Sequence, residues 1–246
     1  MKKILFTLIS MLAFFSTASA QSMKVYQNGK LKAIYYVSKD DKVEFSEDFP
    51  FPEEQGNKVD NGHNGHEYVD LGLPSGLKWA TMNVGTTTPY DYGYYFAWGE
   101  TEPKSTYDRD TYFDSNSSKY AINKKTTLDP EDDAAHVNWG GDWRMPTKAE
   151  QDELYTNCTW TWTTQNGIWG HKVSSKTNSN SIFLPAGGYR RSSGHYGAGS
   201  LGYFWLSSLD RNYSYEAYCL YFYSKEVVSY YNLSRYEGLS VRAVCP

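Results

Sequence analysis

Three kinds of side chain in this 246-residue chain have the chemistry for a site: cysteines, clustered carboxylates and a high density of aromatics. The cysteines are Cys158, Cys219 and Cys245. A thiolate is a nucleophile or redox group only where its surroundings lower its pKa. No Cys-x-x-Cys or histidine cluster has the spacing of a zinc site. Cys219 and Cys245 each lie in a strand-like run. In one reading they pair as a disulfide and one thiol is left over. In the other, all three are small buried hydrophobes. The acids of "TLDPEDDAAH" contain pairs suited to acid–base work, but a helix N-terminus accounts for them without catalysis. His63, His66 and Glu67 in "NGHNGHE" are metal-ligand types within a polar, glycine-rich run that reads as solvated linker. Asp108 and Asp110 alternate but lack the further oxygens of a calcium loop. No Ser/His/Asp set, phosphate loop or nucleophile elbow is present. The expectation is a protein that is not an enzyme and needs no cofactor, with calcium lacking a supporting motif.

The aromatics are more informative. In "NYSYEAYCLYFYSKEVVSYYN", Asn212 to Asn232, seven residues are tyrosine. In "YEAYCLYFYS" Tyr218, Leu220 and Phe222 share one strand face, and Ala217, Cys219, Tyr221 and Tyr223 share the other. A strand apolar on both faces is buried on both, so these tyrosines read as framework. The flanks "RSSGHYGAGSLGY", "LDRNYSY" and "VSYYNLSRYEG" show no alternation. They mix tyrosine with Ser, Asn, Gly and Arg, the composition of an adaptable contact surface. The expected contacts are Tyr196, Tyr213, Tyr230, Tyr231, Asn232, Arg235 and Tyr236. Among the tryptophans, Trp79, Trp98, Trp143 and Trp205 are expected in the core. Trp160 and Trp162 share one face of a strand, and Trp169 is the exposed one.

These residues need a scaffold, and the chain supplies one in pieces. "MKKILFTLISMLAFFSTASA" has Lys2 and Lys3, an apolar run and small residues at Ala18 and Ala20, which is the pattern of a signal peptide cut between Ala20 and Gln21. Residues 1–20 are therefore leader. The expected product is secreted to the periplasm, cell surface or exterior, with no membrane insertion after cleavage. Formal charge is −4, and removing Lys2 and Lys3 takes it to −6. With no Lys/Arg stripe, nucleic acid is a poor partner. Residues 21–48 read as a small β module, with a hairpin turning at Asn28-Gly29 and a third strand at 42–45. Residues 49–66 read as linker.

Residues 67–246 form the main domain. Asp129 caps and Pro130 opens one short helix that ends before Gly140. Thr147 and Glu150 form a capping box for a second. Strands are expected at 158–164, 171–173, 181–185, 202–208, 215–223 and 239–245. Two short helices among short antiparallel strands and long loops make an α+β class. In the closing strand Arg242 is expected to pair with a buried acid or carbonyl.

The blocks "EYVDLGLPSGLKWATMNVG", "FAWGETEPK", "NWGGDWRMPTKAE", "CTWTWTTQNG", "SIFLPAGGYR" and "GLSVRAVCP" occur in the order seen in one family. Over residues 67–246 the chain resembles the Fibrobacter succinogenes major paralogous domain, and "MKVYQNGKLKAIYYV" resembles a segment that often precedes it. The resemblance implies a C-type-lectin-like fold, akin to the sulfatase-modifying-factor fold: a compact α+β base carrying a long-loop region. That fold hosts lectins, adhesins, oxidases and the variable proteins of diversity-generating retroelements, whose diversified residues lie in this C-terminal part. Fold alone does not fix function. Calcium-dependent lectins of this fold use Glu-Pro-Asn or Gln-Pro-Asp, and this chain has Glu102-Pro103-Lys104. The formylglycine-generating oxidase of related fold uses a close cysteine pair, whereas Cys219 and Cys245 are 26 positions apart. The expected function is binding or adhesion to a glycan or surface protein. The alternatives are an oxidase of the formylglycine-generating type and a structural subunit of a surface assembly.

Overall fold

Arg242 is wholly buried, and its position organises the larger part of the chain. The computed structural model describes residues 21–27, 30–37, 62–113, 125–210 and 212–246, and the chain divides into two units, residues 1–57 and 58–246. In the first unit β1 (Gln21–Gln27) pairs antiparallel with β2 (Lys30–Val37), with Gln27 opposite Lys30. The two strands pair antiparallel as the hairpin expectation requires. The leader, the expected strand at 42–45 and most of the expected linker lie outside the described residues.

The second unit is α+β. Its elements are β3 (Gly62–His63), β4 (His66–Asp70), β5 (Lys78–Asn83), α1 (Ala134–Trp139), α2 (Lys148–Asn157), β6 (Cys158–Gln165), β7 (Ile168–Ser175), β8 (Ser181–Pro185), β9 (Tyr189–Arg191), β10 (Gly194–Tyr196), β11 (Leu201–Leu209), β12 (Glu216–Tyr223), β13 (Glu226–Ser234) and β14 (Arg242–Cys245). They form antiparallel sheets in the orders β14-β5-β4-β3, β6-β7-β8 and β11-β12-β13, with β9-β10 as a separate hairpin. The last strand thus pairs with an early one: Arg242 lies opposite Asn83 and Val244 opposite Trp79.

Two corrections concern the segment before and within the helical region. The second unit starts earlier than residue 67, because 62–66 already form the β3–β4 hairpin. His66 stacks on Trp139 at 4.0 Å and Trp143 donates its indole N–H to the His63 carbonyl, so these histidines pack on the domain rather than lying in solvated linker. Burial pushes the His66 pKa down. Asp129 heads only a 3-10 turn and makes no side-chain cap. The cap of α1 is Asp133, which accepts from the Ala135 and His136 N–H groups and, through its other oxygen, from Met145. Gly140 ends α1 at φ 68°, and the Thr147–Glu150 box opens α2 as expected.

The core is built by tryptophans, and the N–H groups of Trp98, Trp143 and Trp205 are answered by backbone, whereas the buried Trp79 N–H has no partner among the described residues. Trp98 donates to Leu206 O and Trp205 to Phe96 O, each at 2.8 Å. Most buried indoles have such partners. Trp79, Trp98, Trp143 and Trp205 are all buried. Cys158, Cys219 and Cys245 are free and buried, which corrects the disulfide reading. Cys219 on β12 faces Trp205 and Tyr231, while Cys245 on β14 faces Lys78 in a different sheet. Each thiol fills space beside large aromatics, and burial holds all three thiol pKa values up, that of Cys158 to about 11.

Arg242 joins two of the sheets. Its Nε donates to Asn83 Oδ1, Nη1 to the carbonyls of Ala80 and Thr81, and Nη2 to Phe183 O in β8, all within 3.2 Å. The residues just before it lie between two other segments, with Leu239 bridged to Phe96 and Ser240 to Phe204. Burial lowers the Arg242 pKa to about 9, so it stays cationic at neutral pH. Arg242→Met would remove the guanidinium donors from three backbone carbonyls and from the Asn83 amide oxygen. The expected loss is about 3 kcal/mol or more, read as a lower urea midpoint with an unchanged slope. An unchanged midpoint would show that these bonds do not hold the sheets.

Candidate functional site

Two glycines set up the tyrosine surface. Gly188 (φ +64) precedes β9, and a Cβ there would lie 2.0 Å from the Tyr196 carbonyl oxygen. Only glycine lets the β9–β10 hairpin fold back this closely. Gly202 in β11 lies opposite Phe222, where a Cβ would meet the Phe222 ring at 2.0 Å. Gly188 and Gly202 bridge to each other, which docks the hairpin beside β11.

The result is a row of tyrosines running across the strands. Tyr196 and Tyr189 are partners in the hairpin and stack at 5.6 Å. Tyr189 meets Tyr203 of β11 edge to face at 5.3 Å. Tyr203 lies opposite Tyr221 of β12, with the rings stacked at 4.7 Å and 28°. From Tyr221 the row forks, to Tyr223 at 6.0 Å and to Tyr231 of β13 at 5.5 Å. The ends are open, with Tyr196 49% and Tyr231 44% exposed, while the middle rings are half-buried. Neighbouring rings cover part of each other's faces, and the two exposed rings, with their hydroxyls, are those of Tyr196 and Tyr231. Each hydroxyl both donates and accepts.

The seven expected contacts are not one patch. Tyr196 and Tyr231 are the open ends of the row. Tyr230 points to the opposite face of β13, where it meets Tyr218 edge to face at 6.0 Å and the Lys148 ammonium lies 3.5 Å from its ring centre. Tyr213 pairs with Tyr215 at 5.9 Å in the turn before β12. Asn232 is half-buried and donates to Asp210 and Glu216, so its amide is engaged. Arg235 is 1% exposed, its guanidinium 5.4 Å from the Trp98 ring and 5.5 Å from the Tyr112 ring. It is a framework residue, which corrects its reading as a contact. Tyr236 is half-buried against the Tyr95–Tyr107–Tyr112 cluster.

A further correction concerns "VSYYNLS", which is strand β13 rather than loop. It carries tyrosine on both faces, one toward the row and one toward α2, so no apolar–polar alternation marks it. Sequence reasoning also missed Tyr189 and Tyr203, and took Tyr221 and Tyr223 as framework alone. Tyr221 and Tyr223 alternate along one strand, but Tyr189 and Tyr203 carry no such local signal, and the register that joins them is long-range. Elsewhere Trp160 and Trp162 share a half-buried face of β6 as expected, and Trp169 is exposed and stacked on Trp162 at 5.7 Å.

Among the described residues no group of three His, Cys, Asp or Glu side chains is placed to hold a metal ion, and no helix is long and apolar enough to cross a membrane. Comparison with protein-family models, with curated proteins and with solved structures finds no match for this chain.

Burial raises the pKa values of Tyr203 and Tyr221, with neighbouring phenols adding to it. A phenol whose pKa is raised on folding contributes stability that is complete below the unfolded value near 10 and is lost as pH rises through the folded value. Stability should therefore be flat in these groups up to about pH 9 and fall above about pH 10. In a spectrophotometric titration at 295 nm, part of the tyrosine absorbance should appear only as the protein unfolds. A single wave for every tyrosine near pH 10 would mean that the row is not buried as described.

Proposed function

We propose that this chain is an exported, non-catalytic binding or adhesion protein, placed at the cell surface, in the periplasm or outside the cell. In it a C-type-lectin-like scaffold presents a tyrosine surface to a glycan or protein ligand. The observation that carries this reading is the row from Tyr196 through Tyr189, Tyr203 and Tyr221 to Tyr231. Rigid aromatic side chains lose little conformational entropy on binding, and buried tyrosines lead among interface anchors. The row is held by sheet and hairpin rather than by free loops, so it is preorganised.

The scaffold reading rests on the resemblance to the Fibrobacter succinogenes major paralogous domain and on an α+β base whose early and last strands pair. The leader pattern at residues 1–20 supports export. An oxidase of the formylglycine-generating type would need a reactive thiolate, whereas all three thiols here are buried with raised pKa values. No cofactor is needed for the proposed role, and a net negative chain favours neither nucleic acid nor an anionic membrane.

The test is binding of the mature protein to a glycan array and to a panel of cell-surface proteins, with Tyr196 and Tyr231 both changed to Ser or both to Phe. Exposed positions tolerate such changes with little loss of stability. The Ser pair should weaken binding about tenfold or more with the melting temperature nearly unchanged. The Phe pair should lose most of that binding too, because the hydroxyls of these two exposed rings would supply its hydrogen bonds. Full binding by both pairs would move the site away from the row.

A further inference from the structure

We infer that a cleft beside β6 and β7, bordered by the Tyr223 branch of the tyrosine row but away from its Tyr196 and Tyr231 ends, is a binding site for a carboxylate-bearing sugar. The cleft has a volume of about 550 Å³, within the range of small-ligand sites. Its wall is aromatic: Trp160 lies 6.4 Å from Tyr155 and 5.8 Å from His171, and His171 lies 5.3 Å from Trp162. Lys176 and the β12–β13 turn, with Lys225 and Glu226, complete the lining.

Two buried polar atoms of this wall lack partners among the described residues: Trp160 Nε1 and His171 Nδ1. His171 is 4% exposed, and its other nitrogen lies 3.1 Å from the Tyr223 carbonyl. A carbonyl only accepts, so the proton is on Nε2. Burial lowers the His171 pKa, so the ring is neutral and Nδ1 holds a lone pair. The wall therefore offers one unanswered N–H and one unanswered lone pair. A ligand hydroxyl can answer either one, accepting from the Trp160 N–H or donating to His171 Nδ1. Both atoms are closed off from solvent in the free protein, so binding requires the half-buried Trp160 ring to turn. Sugars combine hydroxyls with C–H faces that pack on indole, which fits the rest of the wall.

Charge selects the acidic class. Two ammonium groups, Lys176 and Lys225, face one carboxylate, Glu226, in a chain whose net charge is −4. Glu226 already accepts from the Tyr223 hydroxyl at 3.1 Å, and Lys176 donates to Thr156 O at 2.7 Å. Lys225 makes no ion pair with a described residue. That balance disfavours a cationic ligand in the aromatic cleft and leaves Lys225 to meet a carboxylate. The Cys158 thiol also lines the cleft, but burial raises its pKa to about 11, so the site binds rather than reacts.

The test is titration calorimetry of the mature chain with uronic-acid trimers and sialyllactose, each beside its neutral methyl ester, with tryptophan fluorescence read in parallel. At least one acidic sugar should bind, about tenfold or more tighter than its ester, and shift the fluorescence. Lys225→Ala should remove most of that preference. Trp160→Phe keeps a ring and loses the N–H, and should weaken both forms while the melting temperature stays close to wild type. The Tyr196/Tyr231 Ser pair should leave this binding intact, which separates the cleft from the open ends of the row. No binding of any acidic sugar at millimolar concentration, equal affinity for acid and ester, or binding lost only in the tyrosine pair would each overturn the inference.

Discussion

A guanidinium shut away from water must have its N–H groups answered by protein, and the fold of residues 62–246 is arranged around one that is. Arg242 reaches from the last strand to β5 and β8. Removing water from a charge is costly, so such a group is tolerated only where carbonyls are already fixed around it. This makes the arrangement reciprocal. The sheets position the carbonyls, and the guanidinium holds the sheets in register. The segment just before Arg242 then has a fixed course, and Leu239 and Ser240 bridge to Phe96 and Phe204 on its two sides.

The tyrosine row depends on that frame at one remove. Phe204 and Trp205, on opposite faces of β11, are anchored in separate core clusters, and Tyr203 precedes them on the strand. Tyr203 is thereby fixed opposite Tyr221, and Gly188 and Gly202 bring the hairpin tyrosines alongside. What faces outward is therefore set by core packing rather than by loop flexibility. The rings of the row are held by strands rather than by free loops, and they are partly engaged with one another.

What could be read from the sequence was local. The capping box at Thr147 and Glu150 needs only three-residue spacing, and the strand Ser181–Pro185 was delimited to the residue. The four core tryptophans were recognisable from size and their glycine and proline neighbours. Arg242 followed from a lone cation in an apolar closing strand. The misplaced features depend on distant partners. Asp133 rather than Asp129 caps α1, because its second oxygen is held by Met145, twelve residues on. β13 hid because both its faces carry tyrosine. Arg235 has the composition of a contact residue, and only the tertiary position of Trp98 and Tyr112 puts it inside. The Cys219–Cys245 pairing failed on register, since neither strand neighbours the other.

The central claim is that tyrosines from the hairpin and three strands form one continuous row. Nuclear Overhauser spectroscopy on protein with selectively labelled tyrosine rings tests it directly. Ring-proton cross-peaks should link Tyr189 to Tyr203, Tyr203 to Tyr221 and Tyr221 to Tyr231, with Tyr230 connected instead to Tyr218. Absence of contact between Tyr203 and Tyr221, or a cross-peak joining Tyr230 to Tyr221, would contradict the row and the binding role built on it.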